Sequence, residues 1–167
     1  MSRVRQDRKA LTLALERALR EATAQGTLFS QIVARRLGIN STDLECLDII
    51  GMRGAVTAGD LATATGLTTG AVTGVIDRLE KAGFARREHD AADRRKVIVR
   101  LLPAVERRVT PLFEPMQQAM NAAIEGYNEK EIALLVDFFA RTHRAAVGAT
   151  AALERKMAPE PKRRRAK

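Results

Sequence analysis

Aromatic residues are scarce in this chain of 167 residues. They make up 4% of it, with no tryptophan and one tyrosine, although hydrophobic residues together reach 46%. A core built from this composition must be aliphatic, which favours packed helices over a β-sandwich. We therefore expect one domain, or a small domain with helical extensions.

Cysteine and long apolar runs are also lacking. The single cysteine, Cys46, excludes an internal disulfide and is compatible with a reducing compartment. No apolar run approaches the roughly 18 residues that a membrane span needs. The N-terminal region has no signal-peptide core, because Leu11, Leu13 and Leu15 alternate with polar residues. These absences predict a cytoplasmic protein without a membrane partner.

The positive charge is large but uneven. The formal net charge is +9, and the stretch from Arg155 to Lys167 holds seven basic residues and one acidic residue. We expect residues 157–167 to form a disordered basic tail, which would suit a polyanion through counterion release from phosphates. A solvated tail without function is an equal alternative, so the charge alone does not establish DNA binding.

Hydrophobic periodicity predicts six helices and one β-hairpin. The expected helices are Arg5–Leu37 with an irregularity near Gly26, Leu44 to between Gly51 and Gly54, Ala58–Thr65, Thr68 to about Ala82, a fifth from Pro103, and a sixth from Asn128 to about Lys156. Strands are predicted at Phe84–Glu88 and Lys96–Leu101, where Val97 and Val99 alternate with Lys96, Ile98 and Arg100.

Capping and proline signals set the expected helix boundaries. Thr42 and Glu45 resemble a capping box for the second helix, and Thr68 is the expected N-cap of the fourth. Pro111 and Pro115 lie inside a helical pattern and predict a kink or break, because proline lacks an amide proton. In the last helix we expect a buried stripe of Ile132, Leu135, Val136 and Phe139.

The segment from Thr57 to Glu80 predicts a helix-turn-helix. One apolar face would pack its two helices together, through Leu61, Ala62, Leu67, Val72, Ile76 and Leu79. The opposite face of the second helix carries Thr69, Gly70, Thr73, Gly74 and Asp77. Small residues there let a helix lie deep in a DNA major groove. An αα-hairpin in an ordinary bundle would explain the apolar face, but not the scarcity of long charged side chains opposite it.

The predicted hairpin adds a cluster of cations beside this helix pair. Arg94, Arg95 and Lys96 lie at its turn, and an arginine there can enter a narrow minor groove. On the preceding strand, Arg86 and Arg87 are expected to face phosphates. Asp93 should fold the turn by bonding to backbone amides or to an arginine. A solvated charged hairpin tip is the alternative, which the neighbouring helix-turn-helix disfavours.

The stretch from Leu61 to Leu102 resembles the MarR family of bacterial transcriptional regulators. The family's wing signature is Asp-x-Arg-x-x-x-Val-x-Leu-Thr, and four of its positions are matched here by Asp93, Arg95, Val99 and Leu101. The run from Val72 to Phe84 also resembles the family, and the flanking helices extend the similarity over about Arg8 to Leu153. Two positions depart from it: Leu102 replaces the usual threonine, and Gly74 stands where many members carry a longer polar or basic residue.

The resemblance implies a homodimer that binds a palindromic double-stranded DNA operator, with repression as the default outcome. Thr69, Gly70 and Thr73 would lie in the major groove, and Thr68 and Arg78 would contact phosphates. Arg95 would enter the minor groove, with Arg94 in support. The N-terminal part of the first helix and the last two helices would form the dimer, and the amphipathic flanking helices independently favour such a partner.

The expected fold class is mainly α with a small β-hairpin wing: a winged helix-turn-helix flanked by long dimerisation helices. The expected domains are residues 1–39, an N-terminal dimerisation helix; residues 40–102, the DNA-binding lobe; residues 103–156, the C-terminal dimerisation helices; and residues 157–167, the basic tail. We further expect association with the nucleoid.

Family members often bind a small aromatic acid between the dimer helices and the DNA-binding lobe. For this chain the expected lining residues are Phe29, Arg36, Cys46 and Ile50. Cys46 itself lies on the apolar side of its helix, which predicts a buried, inert thiol in preference to a redox sensor.

No motif for catalysis, metal or cofactor binding is found. The two histidines are far apart in sequence and no glycine loop or nucleophile–base pair is present, so we expect no enzyme, no metal and no cofactor. The remaining rival is an architectural DNA-binding protein with little sequence preference.

Overall fold

The computed structural model describes residues 2–157, with side chains described for 7–153 and 155–157. Most of the predicted basic tail therefore lies outside the described residues. The elements, in chain order, are α1 Ser2–Leu37, α2 Ser41–Arg53, β1 Val56–Thr57, α3 Ala58–Thr65, α4 Thr69–Lys81, β2 Ala85–His89, β3 Val97–Leu101, α5 Ala104–Arg108, α6 Thr110–Ile124 and α7 Glu129–Met157. The predicted fold class, mainly α with a small β wing, is confirmed.

The end of α1 and the start of α2 depend on a glycine and an asparagine. The first helix runs without interruption through Gly26, and Gly38 follows it with a φ of 72°. The predicted capping box of Thr42 and Glu45 is wrong. Asn40 is the N-cap: its Oδ1 accepts from the Asp43 amide at 2.8 Å, and an Asp43 carboxylate oxygen lies 3.5 Å from the Asn40 nitrogen. Thr42 lies within the first turn of the helix.

The helix-turn-helix matches its prediction closely. Thr57 caps α3 through a reciprocal box with Asp60, and the left-handed Gly66, with a φ of 71°, ends it. Thr68 then caps α4 by accepting a hydrogen bond from the Ala71 amide at 3.2 Å. These local signals account for the accuracy, because each cap satisfies amides that a helix leaves unpaired.

The sheet has one strand more than predicted. Its order is β1-β3-β2, all antiparallel, with Val56 opposite Val99 in the added pair. The predicted alternation along β3 also fails, since Ile98 and Val99 are both buried while Val97 is exposed. Successive side chains of a strand point to opposite faces, so this central strand is covered on both faces at Ile98 and Val99.

The chain after the sheet divides into two helices close to Pro111, where a kink or break was predicted. The short α5 follows Pro103, which makes no side-chain capping bond, and ends at Arg108. The break falls at Val109, two residues before Pro111, so that Pro111 occupies the first turn of α6. Pro115 lies inside α6 without ending it. Proline is tolerated in a first turn because the amide there has no helical partner.

The core lies among α2, α3, α4 and the sheet. Leu61, Val72, Ile76 and Leu79 are buried as predicted, and Ala62 and Leu67 pack partly buried against them. Phe84 is wholly buried beside them, with the Arg108 guanidinium 4.2 Å from its ring centroid. Among the described residues, no helix is long and apolar enough to cross a membrane.

The chain divides into two compact units, residues 1–115 and residues 116–167. In the second unit, the predicted buried stripe of α7 is wrong for the single chain. Phe139 is 55% exposed, Val136 is 64% exposed and Ile132 is at 36%, with only Leu135 half-buried. The amphipathic pattern of α7 is present, but among the described residues most of its large apolar side chains are exposed.

Replacing Asn40 with alanine should lower the free energy of unfolding by about 1 kcal/mol, because the Asp43 amide loses its cap. Thr42→Ala, the matched control from within the helix, should change it by less than about 0.5 kcal/mol. Urea denaturation of both variants checks this. A larger loss from Thr42→Ala would contradict the assigned N-cap.

Candidate nucleic-acid interface

The exposed face of α4 is built from small residues. Thr69, Gly70 and Thr73 are all exposed, and a Cβ added at Gly70 would meet nothing within 4 Å. The Thr73 hydroxyl donates to the Thr69 carbonyl at 3.0 Å, so this side chain lies back against its own helix. The backbone of α4 can therefore approach a flat or grooved partner closely, with the Thr68-capped N-terminus leading.

The wing turn is folded by two aspartates. The Asp93 carboxylate accepts from the Arg95 amide at 3.1 Å, which confirms its predicted part in the turn, and the Asp93 carbonyl accepts from the Lys96 amide at 2.8 Å. The Asp90 carboxylate accepts from the Ala92 amide at 2.7 Å. These bonds hold the backbone of the turn, while the side chains of Arg94 and Arg95 are exposed. Within the described part of the chain, neither arginine takes part in an ion pair.

Arg78 has a structural partner that the sequence did not reveal. Its Nε and Nη2 donate to the Asp43 carboxylate, at distances from 2.6 to 3.1 Å. Asp43 is 1% exposed, whereas the Arg78 side chain is 49% exposed. The hydrogen bond that Arg78 donates to the Asp43 carboxylate raises the pKa of Arg78. The pair ties α4 to the first turn of α2 and leaves Nη1 of Arg78 as the nitrogen without an Asp43 contact.

Arg86 and Arg87 lie on opposite faces of β2 and have different surroundings. The exposed Arg86 pairs with Glu88 at 3.0 Å, and Glu88 also pairs with Arg100 on β3. Arg87 is directed towards α4, where it pairs with Asp77 at 2.7 Å and with Glu80. The sequence predicted the same role for both arginines, but the structure gives them different surroundings. Arg86 lies in a cluster with one excess positive charge, and Arg87 lies in a cluster with one excess negative charge.

In the described part of the chain, the four expected ligand-lining residues have different surroundings. Phe29 packs edge-on against Phe113 with 5.6 Å between ring centroids, and Arg36 is exposed. Cys46 and Ile50 are fully buried within the core. Burial raises the pKa of the Cys46 thiol to about 11, with Glu45 adding to the effect. This supports the predicted buried, unreactive thiol.

Two open cavities instead lie along α2. One, of about 490 Å³, has Gln31, Leu44, Glu45 and Ile49 among its lining residues. The other, of about 450 Å³, has Leu47, Leu101, Val105 and Phe113 among its lining residues. Both include Asp48 and Met52. Burial, followed by the charge of Glu45, raises the pKa of Asp48. Sequence periodicity did not identify these cavities, because their walls combine residues that lie far apart in the sequence, such as Leu47 and Phe113.

A capped helix-turn-helix followed by a hairpin with a cationic tip defines a winged helix-turn-helix domain. Residues 39–97 match the MarR family model. An uncharacterized HTH-type transcriptional regulator, YcgE of Bacillus subtilis (strain 168), is 38% identical over 134 residues, covering 80% of this chain and 87% of that protein. The chain belongs to the MarR family, whose members are DNA-binding transcriptional regulators.

Further relatives and solved structures agree with this assignment. The HTH-type transcriptional repressor YetL of Bacillus subtilis (strain 168) is 28% identical over 86 residues, covering 49% of this chain and 52% of that protein. A MarR family protein from Bacillus stearothermophilus superposes with a TM-score of 0.63 at 22% identity, covering 83% of this chain and 97% of that one. Wild-type apo MarR from E. coli superposes with a TM-score of 0.55 at 19% identity, covering 77% of this chain and 95% of that one. At these identities the structural matches show the fold alone.

Arg78→Met should lower the free energy of unfolding by about 2–3 kcal/mol, because it leaves the Asp43 carboxylate buried without its partner. This loss is smaller than is usual for breaking a fully buried ion pair, because the Arg78 side chain is half-exposed and solvent screens its charge. Lys81→Met, the matched control on the same helix, removes an exposed cation and should cost less than about 0.5 kcal/mol. Equal losses in urea denaturation would contradict a structural role for Arg78.

Proposed function

We propose that this protein is a sequence-specific repressor that binds a palindromic operator as a homodimer and is released by a small ligand. The observation that carries the proposal is the pair of exposed arginines, Arg94 and Arg95, on a wing beside the small-residue face of α4. Repression is the default for the family, and the relative YetL is named as a repressor.

In the proposed complex, α4 enters the major groove. Thr69, Gly70 and Thr73 face the base edges, and the N-terminus of α4 beside Thr68 faces a phosphate, where unpaired amides and the helix dipole favour an anion. Because Gly74 offers no side chain, direct base readout is limited, and DNA shape contributes more.

The wing supplies the second contact. Arg95 enters the adjacent minor groove, and Arg94 supports it from the same turn. Arg86, on the exposed face of β2, lies against the phosphate backbone. Arg78 contacts a phosphate only through Nη1, because its other nitrogens are held by Asp43. Free cations at the turn favour DNA because they need not give up an internal partner.

The exposed apolar faces of the flanking helices support the proposed dimer. In α1, Leu11 is 70% exposed and Leu13 is 56% exposed. In α7, Leu134 is 68% exposed and Phe139 is 55% exposed. A second copy would cover both faces, so residues 1–39 and 103–156 are assigned to dimerisation. Two-fold symmetry would then present two α4 helices about one DNA turn, roughly 34 Å, apart.

The cavities along α2 are the proposed ligand site. The cavity that includes Leu101, Val105 and Phe113 has the more apolar wall and suits an aromatic ring. It touches α2, β3 and α5, so a ligand that favours one arrangement of these elements would shift the population of the DNA-binding form.

An architectural DNA-binding protein is the second candidate. The basic residues between Arg155 and Lys167 favour it, because they would bind any phosphate backbone. A capped helix-turn-helix with a well-formed wing favours the specific regulator. The ratio of specific to non-specific affinity separates the two candidates.

Arg95→Ala should weaken operator binding by about 1–3 kcal/mol, because the minor-groove contact is lost. The matched control is Arg53→Ala, which removes an exposed arginine from the last turn of α2, outside the proposed DNA and dimer contacts. Fluorescence anisotropy at one salt concentration measures both variants. Wild-type affinity in a folded Arg95→Ala protein would remove the wing from the proposal.

Light scattering at micromolar concentration should show a dimer of the wild-type chain. Leu134→Glu combined with Phe139→Glu should convert it to a monomer, because two charges would be buried in the interface. Ala91→Glu, an exposed position in the wing turn, should leave the dimer intact. A monomeric wild-type protein would contradict the palindromic arrangement.

A further inference from the structure

Arg87 joins the wing to the recognition helix through several contacts. Its Nη1 donates to Glu80, its Nη2 lies 2.7 Å from an Asp77 carboxylate oxygen, and its backbone amide donates to Glu80 at 2.7 Å. Nη2 also lies 3.4 Å from the Thr73 carbonyl oxygen. Thr73, Asp77 and Glu80 form one stripe of α4, spaced so that they share a face of the helix. A single strand residue therefore contacts successive turns of the helix.

The charge around Arg87 disfavours a phosphate contact. One guanidinium faces two carboxylates, which leaves the cluster with one excess negative charge. The Arg87 side chain is only 31% exposed, compared with 61% for Arg86 on the other face of β2. To reach DNA, Arg87 would have to leave both carboxylates, which would then lie unpaired close to a polyanion.

We propose that Arg87 is a positioning residue, which fixes the wing against the recognition helix and does not contact phosphate. This inference rests on the proposed function of α4 and the wing in DNA binding. Arg87 pairs with Val99 at the centre of the β2–β3 ladder, and the strand ends two residues later at His89. Its side-chain bonds thus hold the middle of the hairpin, whose tip presents Arg94 and Arg95.

The position of the wing matters because two contacts must be made at once. α4 has to sit in the major groove while Arg95 reaches the minor groove beside it. Without Arg87, the hairpin would sample several angles to α4, and binding would have to restrict them. Such a restriction lowers affinity without changing the number of phosphates neutralised. Salt dependence therefore distinguishes a positioning residue from a phosphate contact.

The test compares Arg87→Met, Arg87→Lys and Glu80→Gln with the wild type. Binding to a palindromic duplex from the protein's own upstream region is measured by anisotropy over about 50–200 mM salt. We expect Arg87→Met to bind about tenfold more weakly with an unchanged slope of log K against log salt. Arg87→Lys keeps the charge but not the planar fork, and should not restore affinity.

For Glu80→Gln, the two explanations predict opposite changes in DNA affinity. Removing a negative charge beside DNA should strengthen binding by simple electrostatics, whereas loss of the Arg87 contact should weaken it. We expect Glu80→Gln to weaken binding severalfold. The matched control, Arg86→Met, removes an exposed arginine from the same strand and should lower the slope by about 0.9.

The proposal is overturned if Arg87→Met binds as the wild type does, or if its slope falls by about 0.9. It is equally overturned if Glu80→Gln binds as tightly as the wild type or more tightly. Thermal melts monitored by circular dichroism identify folded variants, and Arg87→Lys keeps the test available if Arg87→Met does not fold. Equal wild-type affinity for a scrambled duplex would instead remove the proposed sequence specificity, and the variants can still be compared on that duplex.

Discussion

The ion pair between Asp43 and Arg78 is the interaction on which the DNA-binding lobe depends most. Asp43 belongs to the capping box that starts α2, and its buried carboxylate receives two nitrogens of Arg78 from α4. One side chain thereby orders the beginning of one helix and fixes the position of another. A carboxylate this deeply buried requires its partner, so the placement of α4 is tied to the folding of α2.

The arginines of the lobe divide into internal and external groups. Arg78 ties α4 to α2, and Arg87 joins α4 to β2, so the recognition helix is held by ion pairs to two neighbouring elements. Arg94 and Arg95 project from a turn whose backbone is folded by aspartates. The proposed DNA-binding surface therefore combines ion-paired support within the lobe with exposed cations at the tip of the wing.

Local signals in the sequence were sufficient for the helix-turn-helix. Thr68 and Gly66 each act within three or four residues, so their positions could be predicted without knowledge of the fold. Asn40 and Thr42 are both favourable N-cap residues and lie two positions apart. Asn40 caps α2 together with Asp43, whose buried position beside Arg78 the sequence pattern does not reveal. The strand at Val56–Thr57 was missed because two residues show no periodicity.

The candidate site was less predictable because its ion pairs join distant residues. Arg78 and Asp43 are 35 positions apart, and nothing in the sequence pattern around Arg78 indicates this partner. Arg86 and Arg87 are adjacent residues of the same type, so the sequence predicted the same role for both. The alternation of side chains along a strand nevertheless places them on opposite faces of β2. The periodicity of α7 predicted an apolar stripe, but burial of such a stripe depends on a partner surface that the sequence pattern does not encode.

The most direct test of the central claim compares two duplexes at the same salt concentration. One is a palindrome from the region upstream of the protein's own gene, and the other is its scrambled counterpart. Fluorescence anisotropy should show a preference of about 1,000-fold or more, roughly 4 kcal/mol, for the palindrome. Equal affinity for both duplexes, repeated for the sites that genome-wide footprinting identifies, would contradict a sequence-specific regulator and favour an architectural DNA-binding protein.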